Sequence, residues 1–184
     1  YTLSLHDALP ICRTDAILNF TIPRGATGPA GPAGPTGPQG PTGISTTNTY
    51  GRKYDTTETP ITLVQNVASD VPLMTNGPAN LITQGTTNKL TIPATGIYKI
   101  DYYFSGSSNA ATELTLNVKQ NDNSLDSTTI SKNVTQNQNT DFTGSTILNL
   151  TENDQIGLAL QATDAATITP ESGTSAYINI VRIA

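Results

Sequence analysis

Between Gly96 and Ser105 the chain alternates apolar and polar side chains: Tyr98, Ile100, Tyr102 and Phe104 against Lys99, Asp101, Tyr103 and Ser105. Successive residues of an extended strand point to opposite sides, so a period of two predicts a β-strand with one buried face. The alternation returns at Leu114, Leu116 and Val118 and again at Ile156, Leu158 and Leu160. Shorter apolar runs predict weaker strands near 61–64, 71–74, 81–83, 89–92, 128–133 and 145–150. No stretch holds a helical period. About ten short strands over 50–184, separated by polar turns, predict an all-β antiparallel sandwich or jelly roll.

The closing run Tyr177, Ile178, Ile180, Val181 and Ile183 is apolar on both sides. That is the pattern of a central strand covered twice, and in an oligomer the second cover can be a neighbouring subunit. The expectation is that Ile178 and Ile180, or their opposite-face neighbours, line a subunit interface. Tyr98, Tyr102 and Tyr177 are expected in the core or in that interface.

Upstream the alternation gives way to a different period. Glycine occupies every third position at Gly25, Gly28, Gly31, Gly34, Gly37, Gly40 and Gly43, which makes six Gly-X-Y triplets. Three chains wound in polyproline II geometry leave room at their common axis for a hydrogen atom alone, so this period specifies a collagen triple helix and three copies of the chain. Proline fills the second triplet position at Pro29, Pro32, Pro35, Pro38 and Pro41 and never the third. Absence from the position that animal collagens hydroxylate suggests a bacterial or phage source. A rod of roughly 60 Å without a charged residue after Arg24 cannot set its own register, which predicts a trimerising head beside it.

The flanks divide the rest. Residues 13–24, RTDAILNFTIPR, alternate at Leu18, Phe20 and Ile22 and read as one short strand before the rod; 44–49 read as a polar linker. Residues 1–12, YTLSLHDALPIC, resemble translated sequencing adapter and are set aside from the fold. The chain opens on Tyr1, so a fragment of a longer protein is expected.

Composition narrows the function. Charged residues are 12% of 184, about half the usual share, the net charge is −5, and threonine occurs 32 times. The nine Lys and Arg are scattered apart from Arg52–Lys53, which argues against nucleic acid. No apolar run has the ~18 residues of a membrane helix. Histidine and cysteine occur once each, as His6 and Cys12. From Arg13 onward that excludes a disulfide framework, a Cys/His zinc site, a Ser-His-Asp triad and a Cys-His pair. No catalytic residue, metal or cofactor is therefore assigned.

A collagen-like tract followed by a β head resembles the complement and tumour-necrosis-factor jelly-roll superfamily, and most closely the collagen-like spore-surface glycoproteins of the BclA type. The matching segments are IPATGIYKIDYYF (92–104), STILNLTENDQIGLAL (145–160) and AYINIVRIA (176–184). The resemblance implies a homotrimer whose head, 50–184, drives assembly of the 25–43 triple helix, and a place in a spore's exosporium. It also implies O-linked sugars on Thr27, Thr36 and Thr42. Other spore-coat or surface proteins, or a host glycan or receptor, are the partners it suggests. The rival reading is the receptor-binding tip of a phage tail fibre, which the strand before the rod would suit.

Carboxylates cluster at Asp122 with Asp126 and at Glu152 with Asp154. Calcium accepts such oxygens, but Asn and Asp also favour turns through their own side-chain hydrogen bonds, and solvated hairpin tips are the favoured reading. The N-x-T sequons at Asn19, Asn133 and Asn149 follow from abundant Asn and Thr. Tyr98, Tyr102, Tyr103 and Tyr177 could offer a sugar-stacking surface; filling core and interface is the favoured assignment.

Overall fold

A strand with one apolar side needs a second layer to cover it, and here the second layer is another sheet. The computed structural model describes residues 21, 23–35 and 48–184 and falls into two units, Tyr1–Thr42 and Gly43–Ala184. In the first unit the described residues are exposed and form neither helix nor strand. The expected segment 1–12 lies outside the described residues, as do 36–43 of the expected tract 25–43, 44–47 of the expected linker 44–49, and all of 13–24 except 21, 23 and 24.

The second unit is built from β1 (Tyr50–Asp55), β2 (Ile61–Leu63), β3 (Ser69–Asp70), β4 (Thr75–Asn80), β5 (Leu90–Thr91), β6 (Gly96–Ser108), β7 (Thr112–Gln120), β8 (Asn123–Ser124), β9 (Ile130–Val134), β10 (Asn139–Leu150), β11 (Gln155–Ala162), β12 (Ala166–Pro170) and β13 (Ala176–Arg182), with a single 3-10 turn at Asp126–Thr128. One sheet runs β2-β12-β6-β13-β1-β4, with β10 along the other edge of β6; the second runs β3-β11-β7-β8, with β5 on β11 and β9 on β7. Every pairing between these strands is antiparallel. The long β6 carries β10 over residues 96–107 on one edge and β13 and β12 in succession on the other.

The core lies between the sheets. Tyr98, Ile100, Tyr102 and Phe104 from β6, Leu114, Leu116 and Val118 from β7, Ile156, Leu158 and Leu160 from β11, and Ile178 and Ile180 from β13 are all buried in it. Burying each such side chain contributes about 1.5–3 kcal/mol. The tyrosines keep their hydroxyls satisfied: Tyr98 donates to Ala94 O at 2.7 Å and Tyr102 to Thr128 O at 2.7 Å. Tyr102 reaches Thr128 by laying its ring across Gly144, its register partner on β10. A side chain at 144 would run into that ring, which is why a glycine sits in the middle of this strand.

Three departures from the sequence reading have physical causes. Residues 71–74 are not a strand; Val71 and Leu73 are buried, but their amides go to Leu158 O and to the Asn88 side chain instead of a ladder. Around 81–83 there is no strand but isolated bridge residues at Leu81 and at Thr83, the latter paired with Thr91, and Leu81 holds φ 65°, so Ile82 enters the core from a bend. Thr128 belongs to the 3-10 turn, where its Oγ1 donates to Leu125 O at 2.7 Å and accepts from Val118 N at 2.9 Å. The strand that follows begins at Ile130.

Of the two faces expected to line a subunit interface, that of Ile178 and Ile180 or that of their opposite-face neighbours, the second is the one left open to a neighbouring chain. Ile178 and Ile180 are fully buried inside their own chain, as are Tyr98 and Tyr102, and the opposite-face neighbours Tyr177, Asn179 and Val181 point outward. Replacing Ile180 with Ala should therefore cost about 2–5 kcal/mol of folding stability, read by denaturant unfolding. The loss should appear as unfolding of the subunit and not as dissociation of folded subunits.

Candidate functional site

Side chains that β1, β13, β6 and β10 do not send into the core share one outward face. Register places them in three rows: Tyr54, Tyr177, Tyr103 and Thr143; Arg52, Asn179, Asp101 and Ser145; Tyr50, Val181, Lys99 and Ile147. Chemistry is sorted by row. Tyr103 and Tyr177 stack at 5.4 Å between centroids, and the Arg52 guanidinium lies over both Tyr54 and Tyr177, at 5.3 and 5.2 Å. Stacked rings and an Arg on an aromatic face are features that interfaces concentrate.

In the middle row Lys99 Nζ meets Asp101 Oδ2 at 2.9 Å, and Ser145 Oγ donates to Asp101 Oδ1 at 2.6 Å. Partial burial pushes the Asp101 carboxyl up, but the Ser145 hydroxyl and the Lys99 ammonium together hold it below the usual carboxylate range. Two polar atoms of this row, Arg52 Nε and Asn179 Oδ1, are buried with no partner among the described residues. An unsatisfied buried group is costly and invites an explanation. The last row is apolar apart from Lys99. Tyr50, Ile97, Ile147, Val181 and Ile183 are each two-fifths or more exposed and lie together at this end of the sheet.

β1 missed detection in the sequence because its pattern is inverted. Gly51, Lys53 and Asp55 face the core and Arg52 and Tyr54 face out, so the alternation carries no apolar signature. Lys53, 1% exposed, directs Nζ to Asn76 Oδ1 at 2.9 Å and Gly85 O at 2.8 Å. Burial lowers its pKa. Opposite Arg52 the edge strand β4 carries two residues, Gly77 and Pro78, where one would pair. This is a β-bulge on the one kind of strand that tolerates an internal proline. Gln84 Nε2 bridges Arg52 O and Gly77 O across it. The result is a shallow cleft of about 540 Å³ lined by Arg52, Tyr54, Asn76, Gly77, Pro78 and Thr174. The Gly-Pro dipeptide was the sequence signal that could have located it.

Of the residues singled out from sequence, Tyr177 and Tyr103 come together on the outward face, while Tyr98, Tyr102, Ile178 and Ile180 lie in the core. Gly25, Gly28, Gly31, Gly34 and Thr27 are exposed; Gly37, Gly40, Gly43, Thr36 and Thr42 lie outside the described residues. No group of three His, Cys, Asp or Glu among the described residues is placed to hold a metal ion. No described helix is long and apolar enough to cross a membrane.

The acidic turns are tied to the chain itself. Asp122 pairs with Lys89 and Lys119. Asp154, 7% exposed, accepts from Thr151 N at 2.7 Å, Gln120 Nε2 at 2.6 Å and Asn121 Nδ2 at 2.6 Å. Burial pushes the Asp154 carboxyl up, but these three donors outweigh it and leave the pKa below its ordinary value. They bind the 151–154 turn to the end of the β7 hairpin.

The two-sheet antiparallel jelly roll is the fold this chain shares with globular domains of the complement and tumour-necrosis-factor type. Among solved structures the globular domain of zebrafish complement 1qA superposes with a TM-score of 0.53 at 15% identity, covering 74% of this chain and 98% of that one. Eiger TNF from S. frugiperda gives 0.51 at 14% identity, covering 74% and 93%. The sequence pattern of the BclA C-terminal domain matches residues 52–184, and the chain belongs to that family. Among curated proteins none matches the chain.

A depressed carboxyl pKa stabilises the fold above the unfolded value, near 3.9, and that stability is lost as pH falls through the lower folded value. Asp154→Ala should thus cost about 1.5–3 kcal/mol at neutral pH. It should also flatten the acid limb of the stability curve, measured by urea unfolding between neutral and acid pH.

Proposed function

We propose that this chain is a structural, non-enzymatic surface protein of a bacterial spore or cell, working as a homotrimer. Residues 50–184 form the trimerising head and 25–43 the collagen-like stalk. Residues 44–49 connect them, and 1–12 stand apart from the native protein. One observation carries the reading. A Cβ added at Gly25, Gly28, Gly31 or Gly34 meets nothing within 4 Å in its own chain, and none of the four holds the left-handed φ that would call for glycine. The single chain supplies no reason for a glycine at each third position; close approach of two further chains supplies one.

The outward face of the seven-stranded sheet supports the same reading. Its apolar end begins at Tyr50, at the head's first strand, and its unsatisfied Arg52 and Asn179 atoms would find partners on a neighbouring copy. Membership of the BclA C-terminal family favours the spore exosporium as the location, with O-linked sugars on Thr27, Thr36 and Thr42. The tail-fibre alternative gains no support from that family.

Gly31→Ala leaves ample room in one chain and none in a triple helix. Circular dichroism of the full chain should show a stalk transition that this variant weakens or removes, with the head's melting unchanged. Antibody against the head should label the surface of intact spores from the source organism. Identical melting of variant and parent, or spores left unlabelled, would overturn the respective half of the proposal.

A further inference from the structure

Asn76–Gly77 is the one Asn-Gly step in the chain, and the fold places it where its chemistry has a consequence. Asn76 is exposed on the edge strand β4 at the start of the bulge. Pro78 offers no N–H, and the bulge interrupts the regular pairing of Gly77 with β1. Gly77 also has no side chain to hinder its amide nitrogen from approaching the preceding side-chain carbonyl. The carbonyl oxygen of that side chain, Asn76 Oδ1, accepts a hydrogen bond from Lys53 Nζ at 2.9 Å.

We propose that Asn76 is a self-modifying site: its side-chain amide is lost by cyclisation onto Gly77, and the resulting carboxylate becomes the counter-ion of buried Lys53. In the first step the Gly77 nitrogen attacks Asn76 Cγ. A C–N bond forms, the Gly77 amide proton departs, and the side-chain nitrogen leaves as ammonia. In the second step water adds at Cγ of the five-membered imide, cleaving the new C–N bond and restoring the main chain with an aspartyl carboxylate. Water opening the other carbonyl gives the β-linked isomer. Lys53 contributes at two stages. Its hydrogen bond to Oδ1 stabilises the oxyanion that forms during attack, as a preorganised donor does. Afterwards it faces a carboxylate.

That final contact explains why the product is favoured. Lys53 is 1% exposed, and its acceptors are the neutral Asn76 Oδ1 and Gly85 O; among the described residues it makes no ion pair. A buried ammonium without a counter-charge is destabilising, and a charge-assisted bond is the stronger kind. The reaction converts one of its two neutral acceptors into an anion, at the loss of the hydrogen bond that Asn76 Nδ2 donates to Gln84 O at 3.3 Å, so the gain at Lys53 has to exceed that loss. For a head displayed on a long-lived surface, which rests on the proposed function, ageing through the α-linked product would then tighten the sheet edge, whereas the β-linked isomer puts an extra backbone carbon into β4.

The test is to age the purified full chain at mildly alkaline pH and follow each asparagine by peptide mapping, which reads the exchange of NH2 for OH. Asn76 should convert well ahead of every other asparagine, and Lys53→Met should slow it by about tenfold. Independently, Asn76→Asp should raise the head's melting temperature by about 2–4 °C when Lys53 is present and not in the Lys53→Met background. An Asn76 that stays amidated as long as the others overturns the modification, and an Asn76→Asp head that melts no higher than the parent overturns the counter-ion role. The first readout uses the unsubstituted chain, so it holds even if Lys53→Met fails to fold.

Discussion

A Gly-X-Y strand has nothing to bury on its own. Ordering its backbone costs on the order of 1–2 kcal/mol per residue, and a Cβ at its described glycines, Gly25, Gly28, Gly31 and Gly34, would meet nothing within the chain that carries them. The proposed stalk would therefore depend on being delivered, three at a time and in register, by something already assembled. Tethering to an associated head raises the local concentration of the other two strands to roughly millimolar. The requirement for a third-residue glycine and the requirement for a docking face on the head are two sides of that constraint.

The head meets it with a division of labour across one sheet. Side chains at alternate positions of β6 and β13 close the core within one chain, so in the proposed trimer each copy would bring its own core. The intervening positions build the outward face, with a tyrosine–arginine stack at one end, a polar row centred on Asp101 and an apolar end at Tyr50, Ile147 and Val181. A face of this kind is weakly charged, which fits copies of the same chain meeting one another: identical surfaces rich in one sign would repel.

What could be read from the sequence was what a period encodes. The collagen tract is visible at once because the glycine rule has no exceptions, and β6, β7 and β11 are visible because one side of each is apolar. Where polar groups face inward the signal vanishes: β1 buries Lys53 and Asp55, which hydrogen-bond to Asn76, Gly85 O and the Thr57 hydroxyl, and no periodicity announces that. Apolar residues without a ladder mislead in the opposite sense, as Val71 and Leu73 do. Alternation also leaves open which of two apolar sides of β13 is the inner one. That depends on the facing sheet, and Ile178 and Ile180 were settled by long-range packing against it.

The most direct test is sedimentation of the head alone, residues 48–184, at micromolar concentration. The account predicts a well-folded species of three times the subunit mass, formed without the stalk. A well-folded monomer would contradict it, because the glycine-repeat strands would then have nothing to bring them together.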